Sequence, residues 1–197
     1  MTQNLLLLVV AAILLMGSPG PATISLTATG AAFGAPKGWP YLIGIILGTT
    51  GVLVLVAAGV TGLVLAVPML STAIVFAAAA YVLYLAFRIA TAPPLAQSDP
   101  TARAPSLAGG FALGISNPKA FAAIGAVYSG HVIVPGDLLV DTIVKVGALT
   151  LVIVAVNTAW LYFGSAVAGL LRDPRASRIT NITLAVLLVA SVALALI

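Results

Sequence analysis

Apolar residues run through this chain in long blocks, and the polar positions gather in short clusters between them. A helix rising about 1.5 Å per residue needs about 20 apolar residues to cross the hydrocarbon of a bilayer. The blocks at 5–32, 41–67, 70–89, 107–128, 138–171 and 179–197 reach that length and predict six transmembrane helices. Residues 33–38 read as a turn, and Pro68 with its neighbours as a tight hairpin. The stretch 90–106, with Pro93, Pro94, Asp99, Pro100 and Arg103, is the most polar connection. A short loop at 129–137 is closed by Pro135 and Gly136, and 172–178 is a basic turn. The block at 138–171 is too long for one perpendicular span, so its first part is expected to tilt or to lie at the interface.

Two of the blocks are interrupted. Gly17-Ser18-Pro19-Gly20-Pro21 falls inside the first, and Ser116-Asn117-Pro118-Lys119-Ala120 inside the fourth. Proline removes a backbone donor and clashes with the preceding turn, and glycine loosens it, so both helices should break. Hydrocarbon cannot satisfy the freed N–H and C=O groups, which must face protein, water or a solute. Divided at the 90–106 connection, each half carries three spans, so the halves point opposite ways. A shift of 99 residues lays Ser18-Pro19 on Asn117-Pro118. The expected fold is thus an all-α integral membrane protein, two inverted three-helix repeats with helices 1 and 4 broken at proline motifs. It forms one domain over 1–197, with pseudo-repeats at about 1–90 and 107–197 and a linker at 91–106. Paired interrupted helices mark a transporter's substrate site.

Composition agrees. The chain is 62% hydrophobic and 6% charged, with mean hydropathy +1.24, which leaves no stretch polar enough for a soluble domain. The segment 5–16 resembles a signal-peptide core. However, Thr2, Gln3 and Asn4 supply no positive flank and apolar character resumes at Ala22, so it reads as a span. Without cysteine there is no disulfide framework, thiol redox chemistry or thiolate metal site. Eight basic residues are too few for a nucleic-acid surface. Lys37, Arg88, Arg103, Arg172, Arg175 and Arg178 fall in or beside the first, third and fifth connections. The positive-inside rule then puts those connections in the cytoplasm and both termini outside. Asp141 and Lys145, four apart, are placed to pair on one helix face near the outer interface.

Lys119 is the sharpest chemical signal. An ionised lysine near mid-span costs about 2.5–3.5 kcal/mol on insertion scales. One reading is a site for an anionic group such as a substrate carboxylate, aided by the positive end of the half-helix that starts at Pro21. The other is a snorkelling lysine, or one bonded to carbonyls freed by Pro118. Asn117 and Asn157 are either substrate ligands or helix–helix glue. Ser18, Thr23, Thr49, Thr50, Ser116 and Tyr81 offer polar lining, although each hydroxyl alone favours bonding back to its own helix. Gly44-x3-Gly48 fits a small-residue packing face, within the bundle or in a homodimer. His131 reads as a solvated loop residue, and Tyr128, Trp160 and Tyr162 as divided between interface and core. No metal cluster, phosphate loop or nucleophile–base set is visible, so the expectation is no enzyme, no catalytic residue and no cofactor.

These motifs resemble the lysine/homoserine-lactone exporter (LysE/RhtB) family of bacterial amino-acid exporters. Pro19-Gly20-Pro21 resembles its first-helix signature. Gly34-x2-Lys37-Gly38 with Gly44, Gly48, Gly59 and Gly62 resembles its first loop and second helix. Ala80-Tyr81-Val82-Leu83-Tyr84-Leu85-Ala86 resembles its third helix, and Phe111-x2-Gly114 with Asn117-Pro118-Lys119-Ala120 its most distinctive motif. The resemblance implies proton-coupled efflux of an amino acid or similar metabolite across the bacterial inner membrane. The chain departs from the family twice. Asn157 stands where many members have an aspartate, and Val52 where many have a histidine. Two usual titratable groups are thus missing, which weighs against proton coupling and a cationic substrate and favours a neutral or zwitterionic one.

The sequence therefore predicts a secondary exporter working by alternating access. Its substrate site is expected at Ser18, Pro19, Gly20, Pro21, Thr23, Ser116, Asn117, Pro118, Lys119 and Asn157, and its partners are a small amino-acid-like solute and membrane lipid. Two alternatives remain: a membrane scaffold or accessory subunit without a solute path, and a lipid or glycolipid exporter.

Overall fold

The computed structural model describes residues 2–59, 103–167 and 174–196, with single positions between 76 and 91. Most of the expected third span, residues 60–67 of the second, and Gly62, Pro68, Tyr81, Arg88 and Arg172 lie outside the described residues, as does most of the 90–106 connection. The described residues form seven helices and no strand: α1 (Thr2–Gly17), α2 (Pro21–Phe33), α3 (Ala35–Ala57), α4 (Leu107–Ser116), α5 (Pro118–Ser129), α6 (Leu138–Val167) and α7 (Pro174–Leu196). By length and composition α3 and α6 are each able to cross a membrane, and the bent pair α1–α2 makes a third candidate span.

Both expected interruptions occur. α1 stops at Gly17 and α2 starts at Pro21, with a 64° bend between them. Only Asn117 separates α4 from α5. Pro21 and Pro118 each occupy the first turn of the following helix, where a missing N–H costs nothing. The turn expected at 33–38 is shorter than predicted. Gly34 alone makes it at φ +77°, a left-handed conformation that favours glycine. Pro36 then fits the first turn of α3, so the helix begins at Ala35.

Contacts at the helix ends set the direction of each element. The Asn4 amide donates to the Val132 carbonyl at 2.9 Å, so the start of α1 sits beside the loop that precedes α6. At the other end, the Ala35 N–H donates to Ser165 Oγ at 3.2 Å, so the turn after α2 meets the end of α6. The α1–α2 pair therefore starts and ends where α6 starts and ends, as a broken span does and a re-entrant loop does not. Gly44 and Gly48 of α3 face Leu107 and Phe111 of α4, so these two helices ascend together. Val56, near the end of α3, lines a surface bowl with Tyr128 and Val132, at the same end as Asn4.

Helix α3 packs on both α4 and α5, α6 packs on both α1 and α2, and α3 and α6 touch each other. Each long helix thus backs the broken helix of the opposite half. Glycine allows the close crossings. A Cβ at Gly110 would strike the Tyr41–Ile45 backbone, and one at Gly164 would strike Thr27. The Gly44-x3-Gly48 face is consumed here, inside the bundle. Helix α2 is enclosed along nearly its whole length, and α7 lies against it. Its hydroxyls tolerate this burial by bonding back to carbonyls, as in Thr27 to Thr23 and Thr29 to Ser25.

The interior holds two apolar cores. One gathers Leu26, Tyr41, Leu42, Ile45, Leu113 and Leu161. The other gathers Leu8, Val52, Leu53, Ile124, Leu149 and Ile153. Outward-facing positions are apolar as well, among them Leu6, Leu14, Val54, Leu151 and Phe163. An apolar exterior over an apolar interior suits hydrocarbon rather than water.

Candidate functional site

Between the two cores lies a polar layer, and both helix breaks meet in it. The second break presents a cation. The Asn117 side chain caps α5 by accepting from the Lys119 N–H at 3.1 Å. This cap projects the half-buried Lys119 arm across the bundle, where Nζ donates to the Ser18 carbonyl and, at 3.2 Å, to the Pro19 carbonyl. These acceptors belong to the first break, about a hundred residues away. The expected alternative, bonding to carbonyls freed by Pro118 itself, is not what the fold adopts.

The first break presents acceptors. Thr23 Oγ1 takes the Gly20 N–H at 2.9 Å and donates back to the Gly20 carbonyl at 3.1 Å. That arrangement closes the start of α2, with Thr23 Oγ1 also 3.4 Å from the Ser18 carbonyl, and the Ser18 and Pro19 carbonyls accept from Lys119. From α6, Trp160 Nε1 donates to the Gly17 carbonyl at 3.1 Å, pinning the last residue of α1. The lysine arm lies flush on Gly20, where a Cβ would come within 2.5 Å of Lys119 Cδ. Gly20 is extended (φ −173°), so contact rather than backbone conformation requires a glycine there.

Beside this junction is a cavity of about 30 Å³ lined by Gly20, Thr23, Asn117, Lys119 and Asn157, with Thr49 entering from α3 and Ala120 and Ala123 from α5. With the Lys119 arm in this position the space is too small for an amino acid. Asn157 is buried and donates to its own helix, at the Ile153 carbonyl 2.8 Å away. Thr49 is buried too, yet its Oγ1 has no hydrogen-bond partner.

The structure therefore gathers Gly20, Thr23, Asn117, Lys119 and Asn157 at one cavity, with Ser18 and Pro19 joined to it through their carbonyls. Pro21 acts in the backbone break, as does Pro118. Ser116 and Ser18 bond back to Ala112 and Leu15. The same expectation fails for Thr49 and Thr50, whose hydroxyls are unpartnered. Sequence reasoning also missed the Trp160 pin, since nothing local distinguishes that tryptophan from an interface residue.

A second buried cation lies near the Asn4 end. Lys145 Nζ is 2.8 Å from Asp141, donates to the carbonyls of Tyr128 and His131 at 3.1 Å each, and stands 4.0 Å from the Tyr128 ring centroid. Asp141 accepts from the N–H groups of Ile133 and Val134 at 2.6 and 2.9 Å. The pairing expected from the spacing is present, and it ties the loop to the start of α6. His131 is partly covered, with Nδ1 2.9 Å from the Val127 carbonyl. No group of metal-ligating side chains occurs among the described residues.

No curated protein and no solved structure matches the chain. The model of one family, described as LysE type translocator, matches residues 12–197, nearly the whole chain. That span takes in both proline breaks and the lysine that joins them, and the chain belongs to the LysE type translocator family.

Proposed function

We propose that this protein is a secondary exporter of neutral or zwitterionic amino acids or similar small metabolites. It binds its solute between the two helix breaks and exposes it alternately to the two sides of the bacterial cytoplasmic membrane. The observation that carries this reading is the Lys119 contact to the Ser18 and Pro19 carbonyls, which links the broken helices of the two halves at one half-buried point. Family membership supports the transport of a small solute. The single-domain reading, six spans as inverted repeats over 1–90 and 107–197 with both termini outside, is supported by the way α3 and α6 each back the other half's broken helix. The substrate ligands in this reading are Lys119, Asn117, Asn157 and Thr23, with the backbone at Ser18, Pro19, Gly20 and Pro21. Ser116 and Pro118 shape the second break. Proton coupling remains part of the proposal, and the export assay below tests it.

That assay follows amino-acid release from cells loaded with dipeptides, with and without a protonophore, for wild type and Lys119→Met. The expected result is release of a neutral amino acid by wild type, stopped by the protonophore and reduced to background in the variant. Export by Lys119→Met at the wild-type rate would discard the site.

A scaffold role is the second reading, and it draws on the small cavity and the fully capped first break. Cysteine introduced at Thr23 or Ala120, which both line the cavity, separates the two. An exporter passes through states in which a small polar maleimide reaches these positions, whereas a scaffold protects both.

A further inference from the structure

The two breaks are complementary in charge. Ser18 and Pro19 follow the C-terminal end of α1, where aligned peptide dipoles leave partial negative charge. Unwound carbonyls at such ends of broken membrane helices are suited to holding cations. In this protein the cation they hold is Lys119. We infer that Lys119 is a tethered stand-in for the substrate's own ammonium group. Its Nζ fills an ammonium site made by the Ser18 and Pro19 carbonyls. A zwitterion enters by exchange, its ammonium taking those carbonyls and its carboxylate taking the released Lys119 and Thr49. This inference rests on the exporter reading and narrows its substrate to solutes with an ammonium and a carboxylate close together.

Three independent observations support the exchange. First, position 20 carries no side chain, so the lysine arm lies against the first break rather than beside it. Second, Thr49 Oγ1 is buried, without a partner, and lines the same cavity, leaving a donor for an incoming oxygen. Buried hydroxyls are nearly always bonded, so one without a partner at a cavity marks a place for a water or for a ligand oxygen. Third, the four acids of the chain are Asp99, Asp137, Asp141 and Asp173, and none lies in the two broken apolar runs. Lys119 has no ion-pair partner among the described residues, so a substrate carboxylate meets no competing protein carboxylate. In the inferred exchange the solute takes the space that the seated arm occupies beside this cavity of about 30 Å³.

The exchange makes both substrate charges obligatory. A 2-hydroxy acid would free Lys119 but leave the carbonyls without a cation. A simple amine would occupy the carbonyls but leave the lysine unpaired. A site that hydrogen-bonds a substrate group rejects the analogue lacking it far more strongly than it rejects a change of apolar bulk.

Two measurements on the full-length protein test this. In the first, Lys119→Ala is purified in detergent and its melting temperature is followed with ethylammonium chloride or with sodium chloride at equal concentration. Ethylammonium should restore at least about half of the lost melting temperature by refilling the carbonyl site, and sodium chloride should not. In the second, wild-type proteoliposomes export the amino acid identified above against two competitors, the same unlabelled amino acid and its 2-hydroxy analogue. The amino acid should compete at least about tenfold better. Equal competition by the hydroxy acid overturns the inference, whatever the melting result, and leaves the exporter reading standing. If no amino acid is exported, the exporter reading fails, and the melting measurement alone decides the ammonium site: no recovery overturns it. If Lys119→Ala does not accumulate, the competition result decides.

Discussion

Two lysines point into this bundle, Lys145 buried and Lys119 half-buried, and they are compensated in different ways. Lys145 has a carboxylate at 2.8 Å, one carbonyl from the last turn of α5, one from the loop after it and an aromatic face, and its partner Asp141 is in turn held by two backbone N–H groups. Every charge there is met within the end of α5, the loop after it and the start of α6. Among the described residues Lys119 meets carbonyls only, and they come from the other half of the chain. Carbonyls satisfy the hydrogen bonds of an ammonium without neutralising its charge. A neutral, fully bonded cluster has no vacancy for a ligand and reads as architecture. A cation held by carbonyls at a helix break can exchange its acceptors for a mobile anion. The two lysines thus differ in burial and in partner set, and only Lys119 keeps the unneutralised charge that the proposed exporter uses.

Breaking the neutral cluster should have the largest effect on stability. Asp141→Ala leaves Lys145 enclosed without its counter-charge. The pair is shielded but stands beside an open bowl of about 600 Å³ that admits water. The expected loss is therefore at the lower end for a buried pair, about 3 kcal/mol, seen as a lower denaturation midpoint in detergent. Replacing both partners, as in Asp141→Leu with Lys145→Met, should recover a large part of it. A double variant as unstable as the single one would show that backbone bonds at Ile133 and Val134 dominate.

Lys119→Met is the counterpart at the other lysine. It leaves the two carbonyls short of a donor but creates no unpaired charge, so stability should fall by about 1–3 kcal/mol while export falls to background. If stability falls further than in Asp141→Ala, Lys119 is itself architecture and the contrast collapses. Trp160→Phe removes one donor from the Gly17 carbonyl and replaces the indole by a smaller aromatic ring, for an expected loss of about 1–2 kcal/mol. Export should drop partially, because the carbonyl end that faces Lys119 is less firmly held.

Thr49→Val should have the smallest effect on folding. The hydroxyl it removes has no partner, so stability should stay within about 1 kcal/mol of wild type or rise. The change should appear as weaker apparent affinity for the exported amino acid. Unchanged affinity would remove Thr49 from the site and leave the first break and Lys119 to carry recognition alone.

Much of this protein was legible along the chain. Proline chemistry is local, so the stops at Gly17 and Ser116 and the restarts at Pro21 and Pro118 follow from the sequence. The Asp141–Lys145 pair follows from helical spacing, whereas the cap that Asn117 makes on α5 is not among the roles the sequence suggests for it, substrate ligand or helix–helix glue. The turn at 33–38 was misjudged because Pro36 reads as a loop signal, although it is also well suited to a helix's first turn.

The apolar run lengths, the two breaks, the ion pair and the scarcity of acids were thus determined by the sequence itself. Each depends on neighbours within one or two helical turns, or on composition alone. Only the tertiary structure decided what the breaks face. The Lys119 acceptors lie about a hundred residues away, Trp160 reaches Gly17 from another helix, and Thr49 is left unpartnered by the packing of α3 against α4 and α5. A freed carbonyl or a lone ammonium carries no local mark of its partner. Their meeting is set by which helices cross, and here glycines at the crossings bring α3 onto α4 and α6 onto α2.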